Sequence, residues 1–150
     1  MIWRALFTYL HLLSAGRMAG RLIAQHWLLK RPVDRQQVAL LGALGLGQLL
    51  AAIAALATGS ALASSFGEGA GYYLANPMFR LKMGLFLVLA AASGWPLLQY
   101  VHWSREMRRG PQFAPLGREV DRLRTALSLM LGLMALLPLP AVLVSRAFGY

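Results

Sequence analysis

Four ionisable side chains stand inside stretches that are otherwise apolar: His11, Arg17, Arg21 and Lys82, with Arg80 just before the last of them. Such groups are costly in hydrocarbon and tend to face a cavity or a partner, so they are the residues whose type and spacing bear on chemistry. An imidazole in that setting can ligate haem iron, shuttle a proton or bond a carbonyl of a neighbouring helix, and the third is the commoner use of a lone histidine. Arg17 and Arg21 are four residues apart and share one helix face. No Asp or Glu lies in any of the apolar stretches, and Glu68 is the only acid near Arg80 and Lys82. The functional reading is a pocket for an anion: a haem propionate, a porphyrin carboxylate, a quinone oxygen or a lipid phosphate. The structural reading has Arg21 snorkelling to one headgroup layer and Arg80 to the other. Arg17 is too central for that, and bonding to carbonyls and binding an anion stay equally open for it.

The elements that must position these residues are helices. Val38 to Ala57, Met83 to Val101 and Ala126 to Ser145 carry no charged side chain. Each has about the ~20 residues that a helix rising ~1.5 Å per residue needs to cross a ~30 Å hydrocarbon layer. Leu and Ala dominate, and backbone groups in lipid must bond within their own segment, so helix is the expected state. A further span, roughly Ile2 to Leu29, is apolar from Ala5 to Leu10 and then carries His11, Arg17, Arg21 and His26. Arg4 followed by the run to Gly16 resembles the start of a signal peptide. The Ala and Leu content continues through the arginines, however, and a span that is retained is expected. The whole chain, 1–150, is therefore read as a single all-α, integral membrane four-helix bundle.

Orientation follows from the cations. Residues Lys30 to Gln37 hold Lys30, Arg31 and Arg35; residues His102 to Thr125 hold Arg105, Arg108, Arg109, Arg118, Arg122 and Arg124; Thr58 to Met78 hold none. By the positive-inside rule the first and third loops are cytoplasmic, and the N-terminus, the C-terminus and the Ser/Gly-rich second loop are non-cytoplasmic. Trp3, Trp27 and Trp103 fall near span ends, where amphipathic rings suit the headgroup level. His11 then lies roughly 13 Å deep from the outer side, and Lys82 a turn or two deep from the same side, so the two are expected to share a polar pocket. Asn76-Pro77 predicts a turn before the third span, with Tyr72 and Tyr73 in a cap at the surface. Glu119 and Asp121 predict that the last helix begins within Pro115 to Thr125. Pro96, Pro138 and Pro140 predict kinks.

Composition supports this class and excludes others. Of 150 residues 58% are hydrophobic and 13% charged, more apolar side chain than a soluble core of that size can hide. The net charge of +10 would suggest nucleic acid, but the cations cluster in short loops between apolar runs, which reads as topology; no nucleic-acid partner is expected. The absence of cysteine excludes disulfides, thiolate metal sites and Cys nucleophiles. No Walker loop, GxSxG elbow, HExxH or close carboxylate pair is present, which argues against phosphoryl transfer, esterase, zinc protease and glycosidase chemistry. The seven methionines, Met18 and Met83 nearest the polar residues, read as core filling. Gly16 and Gly20 form a GxxxG pair, weak evidence for a dimer.

Tyr9-Leu10-His11-Leu12-Leu13, Leu56-Ala57-Thr58-Gly59 and the run from Gly71 to Phe86, which includes Asn76-Pro77-Met78-Phe79-Arg80-Leu81-Lys82, resemble an uncharacterised bacterial membrane family. It is catalogued as domain of unknown function twenty-two-fourteen, and the likeness extends over nearly the whole chain. The chain is also remotely similar to the HemJ-type protoporphyrinogen oxidases and the CopD-like membrane proteins. That resemblance implies haem b, with the histidine of the first span and the lysine opening a later span falling on His11 and Lys82. The aromatic continuation of the HemJ first span is replaced here by Arg17-Met18-Ala19-Gly20-Arg21.

The expectation is thus a multi-pass protein of the bacterial inner (plasma) membrane, in contact with lipids. It carries a haem b or porphyrin site in its outer half, built from His11, Lys82 and Arg17 with His11 as the iron ligand. The rival from another class is a cofactor-free structural or assembly subunit, held by a membrane-complex partner or as a homo-oligomer. An anion or lipid carrier is a third reading, although four spans are few for one.

Overall fold

The computed structural model describes residues 1–66 and 69–139. Helices account for most of them, in the order α1 (Ile2–Leu28), α2 (Arg35–Ser65), α3 (Ala70–Ala75), α4 (Pro77–Arg109) and α5 (Gly117–Leu136), and no strand occurs among the described residues. The all-α expectation holds. Glu68, Pro140 and the end of the last apolar stretch, to Ser145, lie outside the described residues.

The helices run past the charge-free stretches that marked them. The α2 helix continues beyond Ala57 to Ser65, into the segment expected as the second loop, because Ala, Leu and Ser there allow further turns and the single Gly59 does not stop them. The α4 helix likewise continues to Arg109, so Arg105, Arg108 and Arg109 stand on helix and only residues 110–116 connect it to α5. Three starts are legible in residue type. Asp34 Oδ1 accepts from Gln37 N at 2.7 Å at the head of α2. Asn76 Oδ1 accepts from Met78 N at 2.9 Å and from Phe79 N at 3.4 Å at the head of α4, with Pro77 in the first turn where its missing N–H costs nothing. Glu119 falls in the first turn of α5. Tyr73 stacks on Phe79 with centroids 5.2 Å apart and meets Tyr72 edge-on at 5.5 Å, so the aromatic cap before α4 forms.

The four long helices pack in cyclic order: α1 lies against α2 and α5, α4 against α2 and α5, and α1 and α4 face each other across the diagonal. Where they cross, Leu22, Leu41, Leu89, Trp103, Leu123 and Leu127 are fully buried. That core occupies one half of the bundle. Among the described residues nothing in α1 before Met18 is buried, nor in α2 after Ala55, in α4 before Leu89 or in α5 after Met130. The half holding His11 and Lys82 is the open half. The α2 and α4 helices are long and apolar enough to cross a membrane by length and composition.

Candidate functional site

His11 sits on the stripe of α1 that continues outward from buried Met18, seven residues or two turns on. Its Nδ1 donates to the Ala55 carbonyl at 2.9 Å and lies 3.3 Å from Thr58 Oγ1. The ring can come this close because residue 59 is glycine: a Cβ there would stand 3.1 Å from His11 Cε1. A carbonyl can only accept, so the proton is on Nδ1, and in the neutral ring the lone pair is on Nε2. Nε2 makes no hydrogen bond among the described residues.

Lys82 bears the same relation to α4. It is seven residues outward of buried Leu89, half-buried, and makes no hydrogen bond or ion pair among the described residues. The bond from Tyr100 to Gln25 puts position 100 of α4 level with position 25 of α1. Both helices run in the same direction, so that offset places Lys82 about one helical turn, ~6 Å, outward of His11. The two residues continue the inward stripes of diagonal helices. They do not touch, and α1 and α4 share no direct seam between them.

The two arginines take different courses. Arg17, counted with the pocket, is exposed and stands apart from His11 and Lys82. Arg21, expected to snorkel to the headgroups, instead turns inward, and its Nη1 donates to the Gly47 carbonyl. Residue 47 has to lack a side chain for this, since an added Cβ would fall on the guanidinium, 2.7 Å from Nη1. Arg21 thus follows the second way of accommodating a charge at depth, bonding to a neighbouring helix's backbone.

Below His11 the core contains polar side chains that a search for charges overlooks. Gln25, Gln48, Ser93 and Tyr100 are all at most 2% exposed. Tyr100 Oη donates to Gln25 Oε1 at 3.1 Å, Gln25 Nε2 donates to the Arg21 carbonyl at 3.2 Å, and Gln48 Nε2 donates to Ser93 Oγ at 3.4 Å. Gln48 Oε1 is buried without a partner. The available signal was glutamine within an apolar run, which carries no charge and so escapes a count of ionisable groups. These bonds join α1 to α4 and α2 to α4 inside a core whose apolar side chains alone give helices in lipid little reason to associate.

One family model, described as "Predicted membrane protein (DUF2214)", matches residues 3–149. The chain belongs to that family. No curated protein and no solved structure matches it. The expected likeness to HemJ-type oxidases and CopD-like proteins is not among what these matches show, while membership of the predicted membrane family agrees with the two apolar helices α2 and α4.

Proposed function

We propose that this family member crosses the bacterial inner membrane four times, with both termini and the α2–α3 connection outside, and holds haem b or a porphyrin in the outer half of the bundle through His11. The observation that carries the cofactor reading is the His11 Nδ1 bond to the Ala55 carbonyl. Histidines that ligate metals almost always donate their other ring N–H to a carbonyl or carboxylate, which fixes the tautomer and aims the free nitrogen. The donor set fits haem better than a bare ion. Among the described residues no three His, Cys, Asp or Glu side chains gather, whereas a porphyrin brings its own four nitrogens and asks the protein for one or two axial ligands. Lys82, about a turn further out on the facing helix, would pair with a carboxylate of the group or help to ligate it. The openness of that half of the bundle favours the same reading. Bound there, haem would supply a redox-active iron.

Topology rests on the nine cations of Lys30 to Thr125 that flank the first and third connections, and on those connections lying together at one end of the bundle, around a shared cavity. An absorption spectrum of protein purified in mild detergent from haem-replete cells tests the cofactor. A Soret band is expected, lost in His11→Ala and shifted or weakened in Lys82→Ala. A wild-type protein without the band overturns the haem reading, and a partner co-purifying in fixed ratio with that colourless protein would favour the subunit role.

A further inference from the structure

Between the α1–α2 and α4–α5 connections lies an open cavity of about 340 Å³, lined by Arg31, Pro32 and Val33 on one wall and by Pro115, Val120 and Asp121 on the other. It carries one charge of each sign. Arg31 and Asp121 do not pair with each other: Asp121 Oδ1 takes Arg124 Nη1 at 3.4 Å, and Arg31 has no carboxylate partner among the described residues. The other acids at this end are engaged. Asp34 caps α2, Glu106 pairs with Arg109 at 3.0 Å, and Glu119 accepts from Trp103 Nε1 at 3.2 Å. The exposed Arg31 guanidinium is thus left without an acid partner among the described residues. The rest of the lining is apolar, mostly proline and valine. Lys30 Nζ lies 4.5 Å from the Trp27 ring beside the same connection, an aromatic and cation pairing suited to headgroup depth.

We propose that this cavity receives a phospholipid headgroup bearing both a phosphodiester and a primary ammonium, that is, phosphoethanolamine. The inference rests on the reading that places this end of the bundle at a headgroup layer. The Arg31 guanidinium presents paired N–H donors to the phosphate oxygens, a geometry a lysine cannot match. The Asp121 carboxylate accepts from the ammonium, whose three N–H donors can reach the oxygen that Arg124 leaves open. The proline and valine walls take the glycerol and the first methylenes. A purely anionic headgroup would bring Asp121 a like charge and no donor to replace the ammonium. A choline headgroup has no N–H to give to Asp121. The order of preference that follows is phosphatidylethanolamine above both phosphatidylglycerol and phosphatidylcholine.

Full-length protein in dodecylmaltoside, titrated separately with dioleoyl-phosphatidylethanolamine, -phosphatidylglycerol, -phosphatidylcholine and inorganic phosphate, tests this by native mass spectrometry of the bound species. Phosphatidylethanolamine is expected to bind about tenfold more tightly than either other lipid, about 1.4 kcal/mol. Arg31→Gln should lose that binding, Asp121→Asn should lose the preference over phosphatidylglycerol, and Arg35→Gln, an exposed cation outside the cavity, should change neither. Equal binding of the three lipids, a preference for phosphatidylglycerol, or displacement of lipid by inorganic phosphate would each overturn the proposal on wild-type protein alone, whatever the variants do. A protein that leaves the membrane fraction without detergent would instead refute the membrane placement on which the site depends.

Discussion

Replacing Gly47 by alanine tests whether Arg21 is held by the neighbouring helix or merely happens to lie near it. The added methyl would occupy the space of the Arg21 guanidinium, which bonds the Gly47 carbonyl. The guanidinium ends a flexible chain, so the collision is relieved by withdrawal and the cost is the lost bond, not steric strain. A hydrogen bond to a charged group contributes about 1.5–3 kcal/mol. Against this, alanine is favoured over glycine inside a helix by about 1 kcal/mol. The net expectation is a destabilisation of roughly 0.5–2 kcal/mol. Gly42→Ala supplies the control, because it lies in the same helix with nothing within 4 Å of its added Cβ and should gain the helix term alone. Reversible unfolding in mixed micelles measures both, and adding Arg21→Met to each variant should erase the difference between them. If Gly47→Ala proves as stable as Gly42→Ala, Arg21 is not anchored at that carbonyl.

Three further outcomes follow from the same geometry. This Cys-free chain allows single-cysteine labelling at Ser65 and Gln112: an impermeant reagent outside intact cells should label Ser65 and spare Gln112, and the reverse pattern would invert the topology. Asn76→Ala removes the side chain that caps α4 at Met78 N and Phe79 N, and should cost about 1 kcal/mol while speeding proteolysis between Tyr72 and Asn76. Tyr100→Phe leaves the Gln25 amide oxygen without its donor in a buried site, and should destabilise the fold by about 0.6–1.7 kcal/mol, the range found for polar contacts between helices in membranes; a neutral result would mean that Gln25 repacks onto another donor.

Helices and their heads were readable because they depend on local chemistry. The charge-free runs, Asn76-Pro77 and Glu119 each act within a few residues of themselves, and α4 and α5 begin where those residues say, while α2 begins three residues before Val38, at a cap by Asp34 that the count of charges did not single out. Helix ends were less legible, since Ala, Leu and Ser beyond Ala57 and the mixed charges up to Arg109 are all compatible with another turn, and only Gly67 and Gly110-Pro111 intervene. The two arginines were left with open readings for a different reason. Depth along a helix does not tell an inward face from an outward one; for Arg21 the decision was made by Gly47, twenty-six residues further on, whose missing side chain leaves room for its guanidinium.

The same argument bears on His11. Its contact with Ala55 and Thr58 is also licensed by a distant glycine, Gly59, so the chain twice spends a small residue of α2 to seat a polar side chain of α1. The two cases differ in what remains after seating. The Nη1 of Arg21 is taken up by a carbonyl in the packed half, whereas the Nε2 of His11 makes no hydrogen bond among the described residues and His11 stands where burial ends, outward of Met18 and beside Ala55. A histidine serving only to join two helices needs nothing of that open space. One that serves as a ligand needs both the pinned Nδ1 and the room beyond Nε2, and the His11→Ala spectrum separates these cases without requiring that the variant lose stability.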